Sequence, residues 1–154
     1  MHIIPLQLDH VELLAQALYA EWHDFAPWSS LQKIRAYYAE CLNSSSLPIA
    51  FAAIDKYHHL LGSAALKRYD MSERMQYEFW LGDVFVLPEA RGCGVANALI
   101  TYSLQAAHAM HLPDLYLYTP DVQSIYRKHG WREIETCFHN GETVSIMHLH
   151  LSKK

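Results

Sequence analysis

The order of periodicities along this chain predicts a mixed α/β (α+β) fold: a largely antiparallel central sheet of about seven strands with helices on both faces. Three observations predict it. Residues 49–86 hold three branched or alternating apolar runs in series, the mark of a strand meander. Segments with apolar residues at helical spacing lie on either side of that meander, so helices must cover the sheet. The last stretch, 132–151, alternates around Asn140-Gly141, a pair that suits a type I′ hairpin turn. A length of 154 residues with 51% hydrophobic and 18% charged composition fits one globular domain spanning 1–154.

Taken in order, residues 2–7 are short and apolar enough for a first strand. "DHVELLAQALYAEW" then opens with Asp9 as N-cap and Glu12 three residues on, a capping-box arrangement, and Val11, Leu14, Leu18 and Trp22 share one helical face. A second helix follows "APWSS", where Ser29 or Ser30 can cap; Leu31, Ile34, Tyr38 and Leu42 form its buried stripe, and "NSSSLP" ends it. "IAFAAID", "LLGSAALKRY" and "YEFWLGDVFV" are the three meander strands. Val95 to His111 carries Ala98, Leu99, Tyr102, Ala106 and Met110 on one side, a helix of about four to five turns that ends before Pro113. "DLYLY" is a short strand, and "DVQSIYRKHG" a short helix stopped by Gly130 ahead of the final hairpin.

Composition removes several function classes. No apolar run approaches the roughly 18 to 20 residues of a membrane span, and "MHIIPLQLDH" lacks the basic start and long apolar stretch of a secretory signal. Both point to the cytoplasm and to no membrane partner. A formal charge of −4, with no stripe of basic residues, gives no electrostatic reason to bind nucleic acid and mildly favours a small cation. Cys41, Cys93 and Cys137 are an odd set without a CxxC pair, against both a disulfide framework and a cysteine-rich zinc site. Among the histidines, His58-His59, the His108/His111 pair and the His148/His150 pair lack a convergent third ligand and any HExxH pattern, so no metal is expected.

The most informative stretch is "VFVLPEARGCGVANALI", Val84 to Ile100, in which a strand meets a glycine loop and then a helix. Glycines let the backbone turn tightly and approach a ligand, while the first turn of the helix presents unpaired N–H groups at the positive end of its dipole. That combination binds anions, phosphates above all, and Arg91 beside it can add a charge-assisted contact. The same glycines would also serve a plain strand-to-helix turn. Two familiar phosphate loops do not fit, since the P-loop needs a Lys that this segment lacks and the dinucleotide fingerprint needs glycine where Asn97 stands.

"V-x-P-E-A-R-G-C-G-V-A" resembles the acetyl-CoA-binding motif of the GNAT superfamily of N-acetyltransferases, with Arg91, Gly94 and Ala96 at the matching positions and Gly92 as an additional glycine. About thirty residues on, "SIYRKHGW" resembles the family's second signature, a Tyr followed by a Gly-aromatic stop, here Tyr126 and Gly130-Trp131. The element order agrees from the first strand to the last hairpin. The resemblance implies that the fourth strand splays from the fifth, "LYLYT", that Phe85, Val86 and Leu87 receive the pantetheine arm, and that the amides of Gly92, Cys93, Gly94, Val95 and Ala96 hold the pyrophosphate of acetyl-CoA. Gly82 is a candidate for the bulge that starts the splay. The implied co-substrate is acetyl-CoA, the implied partner an amine acceptor on a small molecule or a protein, and a homodimer is common in the family.

Acetyl transfer to an amine needs a neutral nucleophile, a site for the oxyanion and a proton for the departing thiolate. Tyr126 stands at the family's position for the tyrosine that meets the cofactor sulfur, and the family expects a backbone N–H near Val86 for the oxyanion. For the base the candidates are Asp83, the favoured one, and Glu78; both could instead be solvated or paired with Lys67, Arg68 or Arg74. Cys93 could act as an acetyl-carrying thiol, but it occupies the variable position between the glycines, where its side chain is expected to point away. A non-catalytic acyl-CoA-binding module is the alternative function, and a nucleotide-phosphate site unrelated to CoA a third. Glu21, Trp22, Asp24, Phe25 and Trp28 would suit a cationic or amphipathic amine or simply close the helix pair over the core, and Glu73 could also reach the cleft.

Overall fold

A computed structural model of the protein describes residues 1–42 and 46–151 and contains the expected elements in the expected order. They are β1 (His2–Pro5), α1 (Leu8–Trp22), α2 (Leu31–Glu40), β2 (Ile49–Ile54), β3 (Leu60–Arg68), β4 (Phe79–Val86), α3 (Val95–Ala109), β5 (Asp114–Thr119), α4 (Gln123–Arg127), β6 (Arg132–His139) and β7 (Glu142–His150). One 7-stranded sheet runs in the order β1-β2-β3-β4-β5-β7-β6, antiparallel throughout except between β4 and β5. Among the described residues, no helix is long and apolar enough to cross a membrane.

Alternation along β2 explains the layering. Ala50, Ala52 and Ile54 face the helices α1 and α2, while Phe51 and Ala53 face α3, so the strand is buried on both sides and reads as continuously apolar. Small side chains at these positions let both helical layers come close. A third cluster, Met71, Trp80, Val144 and Ile146, fills the face of the sheet's other half beneath residues 69–78. Asn140 and Gly141 have φ of 47° and 85°, the pair of left-handed residues that a type I′ hairpin requires.

Two local expectations change, at the start of α1 and along α3, while the cap of α2 is one of the two expected serines. Gln7, not Asp9, precedes α1, and its backbone N–H donates to His10 Nδ1 at 3.1 Å; Glu12 instead accepts two 2.7 Å bonds from Arg35 and ties α1 to α2. Ser30 caps α2 by accepting from the Lys33 N–H at 3.3 Å, whereas the proposed stop at Asn43, Ser44 and Ser45 lies outside the described residues. The buried stripe of α3 is Val95, Leu99, Ile100, Ser103 and Ala107. Ser103 can be buried because its hydroxyl donates back to Leu99 O at 2.7 Å, and including this polar position rotates the stripe away from Ala98 and Met110.

Gly62 marks where β3 presses against β4 and the start of α3. A Cβ there would lie 2.6 Å from the Phe85 carbonyl oxygen and 3.2 Å from Val95 Cγ1, so backbone as well as side chain would have to move. Gly62→Ala is expected to cost about 1–3 kcal/mol in urea denaturation, as overpacking does; an unchanged midpoint would mean that β3 can retreat freely.

Candidate active site

The gap that makes the site begins with a pairing failure. β4 and β5 share one register pair, Trp80↔Tyr116, and diverge beyond it. On its other edge β4 carries one extra residue: Ser63 pairs Phe85 but Ala65 pairs Gly82, leaving Asp83 and Val84 as a bulge. Asp83 itself takes the left-handed conformation, φ 57°, so it and not Gly82 supplies the irregular backbone. Gly82 has a different use, because a Cβ there would meet Lys67 Cδ at 2.9 Å and Asp70 Oδ2 at 3.2 Å. Leu87 N–H donates to Leu61 O at 2.9 Å, and by the alternation of an antiparallel ladder the amide of Val86 is turned away from β3, toward the gap.

A cavity of about 620 Å³ fills this gap, lined by Val86, Gly92, Gly94 and Ala96 at one end and by Asp70, Asp83 and Tyr118 at the other, with Tyr126 on its wall. Phe85 and Val95 also line it, while Leu87 is buried in the core beneath α1. At the loop end, Gly92 and Gly94 have φ of 80° and 81° with open space around each, so here glycine meets a conformational need and not a steric one. None of the amide N–H groups from Gly92 to Asn97 donates to an acceptor among the described residues, whereas Ala98 N–H already closes the first helical bond, to Gly94 O at 3.1 Å. Six unpaired donors thus cluster at the positive end of α3, a 15-residue helix.

Arg91 is engaged elsewhere. Its Nη2 donates to Glu21 Oε1 and Oε2 at 2.7 and 2.8 Å, its Nε to Val86 O at 3.0 Å, and the guanidinium sits 5.7 Å from the Phe85 ring centre. It clamps α1 and the end of β4 to the loop. Cys93 is exposed, its thiol 3.8 Å from Arg91 O, and it does not line the cavity.

Tyr126 is 8% exposed, packs edge-to-face on Trp131 with ring centres 6.1 Å apart, and its hydroxyl bonds to none of the described residues. Burial pushes this phenol up to about 12. Glu78 lies outside the cavity, paired with Arg68 at the far end of the β3–β4 hairpin.

At the cavity's other end stands a buried charge network. Lys67 Nζ is 2.6 Å from Asp70 Oδ1 and 3.2 Å from Asp83 Oδ2, and Tyr37 OH donates to the same Asp83 Oδ2 at 2.6 Å. Burial alone would lower Lys67, but Asp83 and Asp70 overcome it and hold the ammonium charged. Burial raises the Asp70 carboxyl above the ordinary carboxylate range, with Lys67 opposing and Asp83 assisting. Asp70 was not among the sequence candidates. Its nearness to the bulge depends on the missing Cβ of Gly82 twelve positions on, and the only local signal is the Lys67/Asp70 spacing of three at a strand end.

One cluster of metal-ligand types occurs among the described residues: Asp9, His10 and His58, with potential ligand atoms within 4.8 Å of one another. His10 Nδ1 accepts the Gln7 N–H, so the neutral ring carries its proton on Nε2 and offers a donor there, not a lone pair. The trio is therefore poorly set up to hold a cation.

A splayed sheet, a bank of unpaired amides at a helix start, and a cavity whose walls carry both a buried phenol and an acidic pair make up the site. Residues 48–133, more than half of the chain, match the Acetyltransferase (GNAT) domain, and the chain belongs to that family of acyltransferase enzymes. Its fold is similar to that of an aminoglycoside 6′-N-acetyltransferase complexed with coenzyme A, at 15% identity over 100% of this chain and 99% of that one, TM-score 0.78. It is similar also to a spermidine N-acetyltransferase from Vibrio cholerae in complex with CoA and spermine, at 18% identity, 97% and 95% coverage and TM-score 0.75. An N-acetyltransferase from Staphylococcus aureus Mu50 shares 14% identity over 98% of each chain, with TM-score 0.78. At such identities the likeness is one of fold. No curated protein matches the sequence.

Proposed function

We propose that the protein transfers an acetyl group from acetyl-CoA to a primary amine by direct attack in a ternary complex. The observation that carries this reading is the run of unpaired amides from Gly92 to Asn97 opening onto a cavity that continues to Tyr126 and the acidic pair. Those amides suit the pyrophosphate, and the unpaired edge of β4 suits an amide-bearing arm in the way a sheet edge takes another strand. Acetyl-CoA supplies the activated acyl group.

The chain's own residues divide the proton work. Asp70 takes a proton from the acceptor's ammonium, since Asp83 Oδ2 is already held by Lys67 and Tyr37, and Glu78 is paired outside the cavity. Asp83 and Lys67 hold Asp70 in place and keep the local charge negative. The Val86 N–H receives the developing oxyanion. As the N–C bond forms and the C–S bond breaks, the attacking nitrogen loses its second proton to solvent and the Tyr126 hydroxyl gives its own to the thiolate; the phenolate recovers one from solvent, and Asp70 releases the first, so one proton is released per turnover.

Calorimetric titration with acetyl-CoA, CoA and ADP tests the loop. Gly94→Asp places a Cβ at φ 81° and a carboxylate among the amides, and is expected to weaken CoA binding at least about tenfold, or roughly 1.4 kcal/mol. Arg91→Ala should lose less, because Glu21 already occupies its guanidinium. Equal affinity in wild type and Gly94→Asp would remove the loop from the CoA site.

A further inference from the structure

A second cavity, about 410 Å³, adjoins the first and shares with it Asp70, Asp83, Tyr118, Phe25 and Trp28. The acidic pair is thus common wall to both. If acetyl-CoA occupies the first, as proposed above, the acceptor reaches the same carboxylates through the second.

The charge of this chamber is countable. Asp70 and Asp83 are the only carboxylates that line it among the described residues, and Lys67 stands between them, so the group carries one net negative charge. His139, also on the wall, is paired with Glu73, which does not itself line the chamber. Glu21, Asp121 and Glu142 line the first cavity only, and Glu21 holds Arg91. One ammonium therefore neutralises the chamber, and a second positive charge on the same ligand finds no carboxylate on this wall.

Away from the acidic pair the wall is aromatic. Phe25, Trp28, Tyr69 and Tyr118 supply ring faces, with Pro27 between the first two, and the polar remainder is uncharged Ser72 and Asn140. The Trp28 and Tyr37 rings lie 5.9 Å apart with their planes tilted by 60°, and Tyr69, which lines the chamber, is 41% exposed and takes φ 54° in the turn after β3. Such a surface rewards an apolar, flat body and gains little from a hydroxylated or polycationic one.

We propose that the acceptor is a primary amine carrying a single positive charge on an aromatic or otherwise apolar body, an arylalkylamine in class, bound with its ammonium at Asp70 and Asp83 and its body against Phe25, Trp28, Tyr69 and Tyr118. This rests on the acetyltransfer reading and departs from the polycationic acceptor named for the spermidine enzyme of similar fold.

The test is thiol release from acetyl-CoA with 2-phenylethylamine, n-butylamine and spermidine, beside calorimetric binding of phenylethylamine to the protein saturated with CoA. Phenylethylamine is expected to exceed both other amines in kcat/KM by about tenfold or more. Tyr69→Ala should erode that preference about fivefold through KM for phenylethylamine relative to butylamine. A tenfold preference for spermidine would overturn the inference and leave acetyl transfer standing. Phenylethylamine that binds but releases no thiol would support the chamber and sink the proposed chemistry. Neither binding nor turnover would overturn the inference, while acetylation of the other two amines would still uphold the enzyme.

Discussion

Replacing Asp70 by Asn is expected to lower kcat about 10²- to 10³-fold, the usual size of a general-base contribution, while acetyl-CoA binding stays within about twofold. Asn keeps the volume beneath Gly82 and can still accept from Lys67, so the buried network retains its shape and loses its basicity. The pH profile separates this from a packing defect. Burial raises Asp70 to about 6, so wild-type kcat/KM should fall as pH drops through that value, and Asp70→Asn should lack the limb. Asp83→Asn should raise the acceptor's KM yet keep the limb, because Asp83 holds Lys67 and accepts from Tyr37. Glu78→Gln should change neither, since that carboxylate answers Arg68 outside the cavity. If the acid limb survives in Asp70→Asn and vanishes in Asp83→Asn, the roles of the two are reversed.

The same shift makes a statement about stability. The folded protein holds the Asp70 proton more tightly than an unfolded chain, whose aspartates titrate near 3.9. The stability this confers is complete below about 4 and is lost as pH rises through about 6. At pH 8 the ionised carboxylate is then a net cost of the fold, one that Asn does not carry. Asp70→Asn should therefore melt no lower than wild type at pH 8, with its advantage shrinking toward pH 4. An inactive variant of undiminished stability is the signature of a residue kept for chemistry.

Much of the fold was legible in the sequence because its signals are local. Asn140-Gly141 demands a tight hairpin wherever it falls between alternating segments, and the glycines at 92 and 94 declare a loop whose φ angles other residues resist. What depends on distant packing was not legible. Arg91 beside those glycines offers itself to a phosphate, yet Glu21, seventy positions away, takes its guanidinium. The break in β4 suggested Gly82, whereas Asp83 bends and Gly82 stays small to admit Asp70. Asp70 is the clearest case: an aspartate in an ordinary turn acquires its basicity from burial and from Asp83, against the pull of Lys67, in surroundings that only the folded sheet assembles.

Tyr126→Phe is expected to lower kcat by about 10²-fold with KM for acetyl-CoA nearly unchanged, because the ring stays packed on Trp131 and only the hydroxyl leaves. Stability should hold, since that hydroxyl has no partner among the described residues and Tyr126 lines the cavity, so its removal breaks no internal hydrogen bond. With the phenol pushed up to about 12, it stays protonated across the working range, so the variant should keep the acid limb set by Asp70 and show no new one near neutrality. The discriminating experiment changes the leaving group. An acetyl donor with a strongly acidic aryl thiol departs without a proton, so the defect of Tyr126→Phe should shrink to within a few-fold there if the phenol is the acid. A defect of equal size with both donors would assign Tyr126 to shaping the cavity wall, and no defect with either would leave it a core tyrosine braced against Trp131.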